Sequence, residues 1–325
     1  MGPGPINAVT ELLPAMGSRL VPPGRITGYN AAMIYSRGFI AAVQAGLAAL
    51  IVGLAVPASA QQEGDWVVAE FARSRLVADY VNLPPEGPVT VFLAWEVIMP
   101  PGWKTYWRSP GEAGKPPVFG WEGSVNLASA EPLFPLPQRF ELFDVQNLGY
   151  AGRLLLPIRI APAIPGAPIS VKATVDFLIC KDICVPMQAA YALDLPVAVA
   201  AEIKSSSADD IHAALLRVPR SPSISANGLV VRGARVFGPP GNQRLTIDVE
   251  GPELMSAADV FVEAGQGVMF DAPRRALTGD GTRAQLTFSA GDYSGDLDLR
   301  GRTLTLTLTD GMGRAIETTF TLVSP

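Results

Sequence analysis

Thr303-Leu304-Thr305-Leu306-Thr307-Leu308-Thr309 alternates without a break. A side-chain period of two is that of a β-strand, here with leucines on one face and threonines on the other. Short alternating or β-branched runs bounded by glycine and proline recur along the chain: Pro88 to Val97, Leu154 to Ile160, Ile169 to Ile179, Gln188 to Leu195, Leu229 to Val236, Arg244 to Val249, Gln285 to Ser289 and Ile316 to Leu322. Runs of this length and spacing predict an all-β protein built of antiparallel sandwiches. One stretch departs from the pattern. Ser206-Ser207-Ala208-Asp209-Asp210-Ile211-His212-Ala213-Ala214-Leu215-Leu216 has a serine to cap it, early acids and helical apolar spacing, so a helix is predicted over about 207–217.

That helical stretch lies between Lys204-Ser205-Ser206-Ser207 and Pro219-Arg220-Ser221-Pro222, which marks a boundary. The expected layout is a domain over 61–200, a helical linker over 201–221 and a second sandwich over 222–325. All five tryptophans (Trp66, Trp95, Trp103, Trp107, Trp121) and both cysteines fall in the first domain. Chemistry is therefore expected there, and the second domain reads as a spacer or docking module.

From Met33 the chain reads as a secretory signal: a short basic start to Arg37, an uncharged run from Phe39 to Val56, then Pro57-Ala58-Ser59-Ala60. Ala58 and Ala60 form the small-x-small cleavage pattern, giving a signal peptide over 33–60 and a mature start at Gln61. Left uncleaved, about 18 apolar residues would anchor the chain in a bilayer. Residues 1–32 show no periodic apolar face and read as unstructured or as an overlong start, Met33 then being the initiator. Export places the cysteines where disulfides form, and a Gram-negative periplasm is the simplest host.

Of 25 basic and 30 acidic residues, Arg19, Arg25, Arg37 and Glu11 precede residue 61, leaving 22 and 29 and a net charge of about -7. An acidic chain is a poor partner for nucleic acid, whose phosphates call for a basic surface. His212 is the only histidine, and it falls in the helical stretch, where an exposed structural role is expected. Two cysteines without a nearby histidine fall short of the four ligands of a zinc site, so neither metal nor cofactor is expected. Gly111-Glu112-Ala113-Gly114-Lys115-Pro116 has glycines too closely spaced for a phosphate loop, and Pro116 stands where Ser or Thr would bind magnesium. It reads as a turn-rich loop.

Cys180-Lys181-Asp182-Ile183-Cys184 holds both cysteines. An exported chain with two cysteines normally pairs them. Closing a loop of about five residues gives only roughly 2 kcal/mol by chain entropy, a weak staple. Residues four apart on a strand lie about 13 Å from each other, beyond the roughly 4.4–6.8 Å a bridge tolerates between Cα atoms. A bridged pair therefore needs a turn: a strand ending near Ile179, a turn through Lys181-Asp182-Ile183, and a new strand after Pro186. Lys181 favours a thiolate on a neighbouring cysteine, whereas Asp182 or Asp176 opposes it. From spacing alone an inert bridge and an exchanging one stand level.

Val175-Asp176-Phe177-Leu178-Ile179-Cys180-Lys181-Asp182-Ile183-Cys184-Val185-Pro186-Met187 resembles the cysteine segment of the periplasmic N-terminal region of the DsbD family of thiol:disulfide interchange proteins, in particular its ScsB-like branch. Pro100-Pro101-Gly102-Trp103-Lys104-Thr105-Tyr106-Trp107-Arg108-Ser109-Pro110-Gly111, running on to Pro117 and followed by Trp121 and Pro135-Leu136-Pro137-Gln138-Arg139-Phe140, is a second match. The likeness covers roughly 65–200 well, and 222–325 more loosely through Val260-Phe261-Val262-Glu263. It implies two immunoglobulin-like sandwiches, and a site in which Cys184 forms the mixed disulfide and Cys180 resolves it. It also implies an aromatic cap, for which Trp103, Tyr106 and Trp107 are candidates, each being equally a core residue. Full-length relatives continue into a multi-helix membrane domain and a thioredoxin-like domain. This chain ends at Ser324-Pro325, so a truncated product or a stand-alone module with a separate membrane partner is expected.

The leading expectation is thus a periplasmic disulfide reductase component passing electrons from a membrane electron donor to thioredoxin-like proteins. The competing one is a non-enzymatic two-domain binding or scaffold protein with a structural disulfide.

Overall fold

The structure is a computed structural model that describes residues 63–82, 89–142, 144–196, 206–225 and 227–323. The expected leader over 33–60 and the segment before it lie outside the described residues, as does the start of the expected linker. Among the described residues, no helix is long and apolar enough to cross a membrane.

Eleven strands come first: β1 (Val67–Val68), β2 (Arg73–Asn82), β3 (Val89–Ile98), β4 (Lys104–Gly111), β5 (Val118–Gly120), β6 (Leu127–Pro132), β7 (Gln138–Leu142), β8 (Val145–Ala151), β9 (Arg153–Pro162), β10 (Ile169–Cys180) and β11 (Cys184–Leu195). They make two antiparallel sheets, one in the order β1-β2-β3-β9-β6, the other β11-β10-β4-β8-β7 with β5 also on β10. Two short helices follow, α1 (Ala208–Leu216) and α2 (Pro222–Ser225). The remaining strands are β12 (Val230–Phe237), β13 (Gln243–Glu250), β14 (Asp259–Glu263), β15 (Val268–Phe270), β16 (Arg274–Thr278), β17 (Arg283–Asp292), β18 (Thr303–Thr309) and β19 (Ala315–Thr321). They form the sheet β12-β13-β17-β15, with β16 also on β17, and the sheet β14-β18-β19. The protein is all-β, an immunoglobulin-like sandwich followed by a second sandwich.

In the first sandwich the two sheets meet around Trp95, which is wholly buried. Phe177 and Phe119 approach its ring edge-on, at 4.9 and 5.7 Å between centroids. An indole in such a place needs a partner for its N–H. Nε1 donates to Tyr191 Oη at 2.9 Å, and that hydroxyl donates to Ser74 Oγ at 2.6 Å. The chain of bonds runs from β3 to β11 and back to β2, tying one sheet to the other.

Strands β2 and β3 do not alternate because both of their faces are covered. Leu76 and Trp95 point into the sandwich, while Val77, Phe92 and Ala94 meet Ile211 and Leu215 of α1 on the outside. Ser207 stands at the N-cap position of α1 as expected, but its hydroxyl caps nothing. It donates instead to Glu63, as does Ser206, and Glu63 also accepts from Arg75. These bonds hold the Glu63 carboxyl below its ordinary pKa, and they hold the helix against the sheet.

Leu304, Leu306 and Leu308 of β18 all enter the second core, as the alternation requires. On the opposite face Thr307 is buried too, because the first sandwich lies against it. Thr307 Oγ1 donates to Glu317, which also receives Arg108 from β4. Arg108 meets Glu263 with Nε at 3.1 Å and Nη2 at 2.6 Å, while Arg139 forks onto Asp259 at 2.7 and 3.1 Å. Phe261 of β14 crosses the boundary altogether and packs in the first core, 5.9 Å from Trp107.

Removing the Trp95 ring empties the centre of the first sandwich and strands Tyr191. Trp95→Ala is expected to lower the unfolding free energy by about 3–5 kcal/mol, read as a fall in the urea midpoint.

Candidate functional site

β10 and β11 pair without interruption from Ile169 opposite Leu195 to Cys180 opposite Cys184. The three residues between turn the chain, with Lys181 N–H donating to Ile183 O at 3.0 Å. A disulfide joins the cysteines, their Cα atoms 4.1 Å apart. The expected turn is present, but β11 starts at Cys184 rather than after Pro186, which sits within the strand opposite Leu178. Leu178 directs its carbonyl away from β11, to Thr105 Oγ1 on β4 at 3.0 Å. Leu178 and Pro186 are therefore a pair without ladder bonds, where a residue lacking N–H costs nothing. Two residues on, alternation makes Cys180 and Cys184 a pair of the same closely spaced kind.

The two sulfurs stand in different surroundings. Cys180 is completely buried, Cys184 is half-buried, and the adjoining Ile183 is 58% exposed. Tyr106 of β4 donates its hydroxyl to Cys180 Sγ at 3.1 Å and lies 3.9 Å from Cys184 Sγ. Burial raises the Tyr106 pKa, so the phenol keeps its proton at neutral pH. A hydrogen bond to sulfur strengthens when the sulfur becomes a thiolate, so the Tyr106 hydroxyl offsets part of the cost that burial places on a charged Cys180. Lys181 Nζ lies 3.9 Å from the exposed Asp182 carboxylate, which offsets it. Asp176 sits four residues up the strand, about 13 Å away by strand rise, and accepts from Gln188 Nε2.

Of the three aromatic candidates for a cap, Tyr106 is the one that hydrogen-bonds to the bridge. Trp103 stacks on Phe71 at 4.4 Å, and Trp107 packs against Phe261 with Arg108 over its ring. Tyr106 is covered in turn. Phe140 of β7 lies 5.9 Å from its ring, and the loop from Gly111 to Pro117 passes over it. At Gly114 a Cβ would come within 2.3 Å of the Tyr106 ring, so only glycine allows the loop this close. Glu112 N–H donates to Gln146 O at 3.3 Å, Ala113 N–H to the buried Asn147 Oδ1 at 3.2 Å. Tyr293 of the second sandwich donates its hydroxyl to Glu112 O at 3.0 Å. The sequence offers Tyr106 only as one of three cap candidates, each equally a core residue, and does not single out Phe140, Asn147 or the close approach of this loop. The paired glycines at 111 and 114 were the available signal. His212 lies exposed on α1, and no group of residues suited to a metal ion occurs among the described residues.

Residues 76–196 match the family described as thiol:disulfide interchange protein DsbD, N-terminal. Residues 217–325 match a domain of unknown function (DUF8393). Among solved structures, the N-terminal periplasmic domain of ScsB from Proteus mirabilis superposes with a TM-score of 0.63 at 21% identity, over 81% of this chain and 99% of its own. That is a shared fold. A marsupial T cell receptor aligns over 79% of this chain and 100% of its own at 10% identity, with a TM-score of only 0.18. No curated protein sequence matches significantly.

Gly114→Ala pushes a methyl group into Tyr106 and is expected to cost about 1–3 kcal/mol in urea unfolding. Alkali gives a second check, because burial also raises the phenols of Tyr150 and Tyr191. Unfolded tyrosines lose their protons near pH 10 while these three hold theirs, so the unfolded state binds fewer protons and stability falls as the pH rises past about 10. Tyrosinate absorbance is then expected to rise together with the loss of native ellipticity.

Proposed function

We propose, from the match of residues 76–196 to the DsbD N-terminal family and from the fold shared with the ScsB periplasmic domain, that this chain is a periplasmic thiol:disulfide interchange module, acting as a protein-disulfide reductase component. It takes two electrons from a membrane electron donor and passes them to thioredoxin-like proteins. The observation that carries this reading is the unequal burial of the bridged sulfurs, with a proton donor on the buried one. Exchange draws on both features, an accessible sulfur to attack and a hydrogen bond to the one that departs. The leader expected over 33–60 supports the compartment.

In the first half-reaction a donor thiolate attacks the half-buried Cys184 Sγ. The Cys180–Cys184 bond breaks and Cys180 departs as a thiolate, stabilised by the Tyr106 hydroxyl. The donor's second thiolate then attacks its own sulfur in the mixed disulfide, leaving the donor oxidised and both cysteines reduced. In the second half-reaction the Cys184 thiolate attacks the disulfide of a thioredoxin-like protein, whose other sulfur leaves as a thiolate and takes a proton. Cys180 then attacks Cys184 Sγ, closing the intramolecular bridge and releasing the partner as a dithiol. Two electrons and two protons pass from donor to acceptor, and the protein returns to its starting state. Exchange of this kind depends on access to the attacked sulfur and on the stability of the leaving thiolate, and the site supplies both.

Equilibration with glutathione and dithiothreitol is expected to give a reduction potential above about -300 mV, the range of exchanging rather than structural bridges. Cys180→Ser, reduced and mixed with an oxidised thioredoxin-like protein, is expected to accumulate a mixed disulfide on Cys184, and Cys184→Ser to accumulate none. A potential below that range with no trapped adduct would overturn the reading in favour of a scaffold whose bridge is structural.

A further inference from the structure

The second sandwich carries no cysteine, yet its contacts converge on the strand and loop that hold Tyr106. We infer that the second sandwich is a positioning element of the exchange site, holding β4 and the loop from Gly111 to Pro117 so that the Tyr106 hydroxyl stays on Cys180. Two attachments make the case. Arg108 lies two residues beyond Tyr106 on β4, and its guanidinium is shared between Glu263 of β14 and Glu317 of β19. Burial opposes that charge, but the hydrogen bonds and charge of Glu263, then of Glu317, outweigh it and keep Arg108 firmly protonated. This end of β4 is therefore anchored to the second sandwich by a two-carboxylate grip. The other attachment is Tyr293, a residue 79% exposed whose hydroxyl reaches across to Glu112 O at 3.0 Å. Glu112 is two residues from Gly114, the point at which the loop rests on the Tyr106 ring. The path from the second sandwich to the sulfur is thus Tyr293, Glu112, Gly114, Tyr106, Cys180.

The inference rests on the reading of Cys180 as the leaving and resolving sulfur, and its test separates the two. In the full chain, the rate at which dithiothreitol reduces the Cys180–Cys184 bridge is measured for Tyr293→Phe, Tyr106→Phe and the double variant. Loss of one hydrogen bond to a charged leaving group is expected to slow Tyr106→Phe about tenfold, and loss of the neutral bond at Glu112 to slow Tyr293→Phe about threefold. In the Tyr106→Phe background Tyr293→Phe is expected to change nothing further, the non-additivity of residues acting through one another. A merely structural role is tested by the pH profile of Cys180 alkylation in Cys184→Ser, whose midpoint is expected to move upward when Tyr293→Phe is added. Equal slowing by Tyr293→Phe in both backgrounds, or an unchanged rate and midpoint, overturns the inference while wild-type exchange leaves the proposed function standing. A wild-type bridge that dithiothreitol does not open overturns both.

Discussion

The register of β10 against β11 is the constraint on which the site depends. Twelve consecutive pairs, from Ile169–Leu195 to Cys180–Cys184, leave no slack along the hairpin. Because side chains alternate faces, a slip of one residue would send the inward set of Val171, Val175, Phe177 and Ile179 outward and carry the sulfurs apart. The apolar burial that keeps this set inside therefore also sets the distance between the two sulfurs. A bridge that adds only about 2 kcal/mol of chain entropy is a small part of what holds this register, which the inward apolar set fixes along the whole hairpin.

Around this hairpin the polar groups are arranged by what each sheet has to bury. Trp95 and Tyr191 satisfy one another inside the first sandwich, so its centre is both apolar and hydrogen-bonded. On the far side of one sheet Glu96, almost fully buried, takes Arg75 and Arg153 together, and Arg153 also reaches Asp210 of α1. Between the sandwiches Arg108 and Arg139 perform the corresponding task, each forking onto carboxylates of the second sandwich. Planar, bidentate pairing of this sort fixes orientation as well as proximity. Among the described residues, the ion pairs that align these layers are made by arginine, whose planar fork fixes orientation where a lysine ammonium would not.

How much of this is legible in the sequence follows from which interactions are local. Each of the alternating or β-branched runs became a strand, and Thr303–Thr309 matched its predicted bounds. Strands such as β2, with Leu76 and Val77 both buried, lost the signal because α1 covers their second face, which no local pattern announces. The turn between the cysteines followed from spacing, but the position of Pro186 did not, since it depends on β11 lying at the sheet edge. Tyr106 stood inside a recognisable segment, yet Trp103 and Trp107 were equally plausible on sequence. Only the paired strands decide which ring faces the sulfurs. The grip of Arg108 on Glu263 spans 155 positions and has no local signature.

Pro186 has one more effect. Since Leu178 and Pro186 exchange no ladder bonds, the position where an amide hydrogen would project lies on the open side of β11, and the pyrrolidine ring fills it. A strand edge with such a gap is a poor template for another strand, and the gap falls two residues from Cys184. A second strand laid along that edge would find one hydrogen-bond position missing just before the sulfurs, which weakens sheet continuation there and favours approach to the bridge from the hairpin tip.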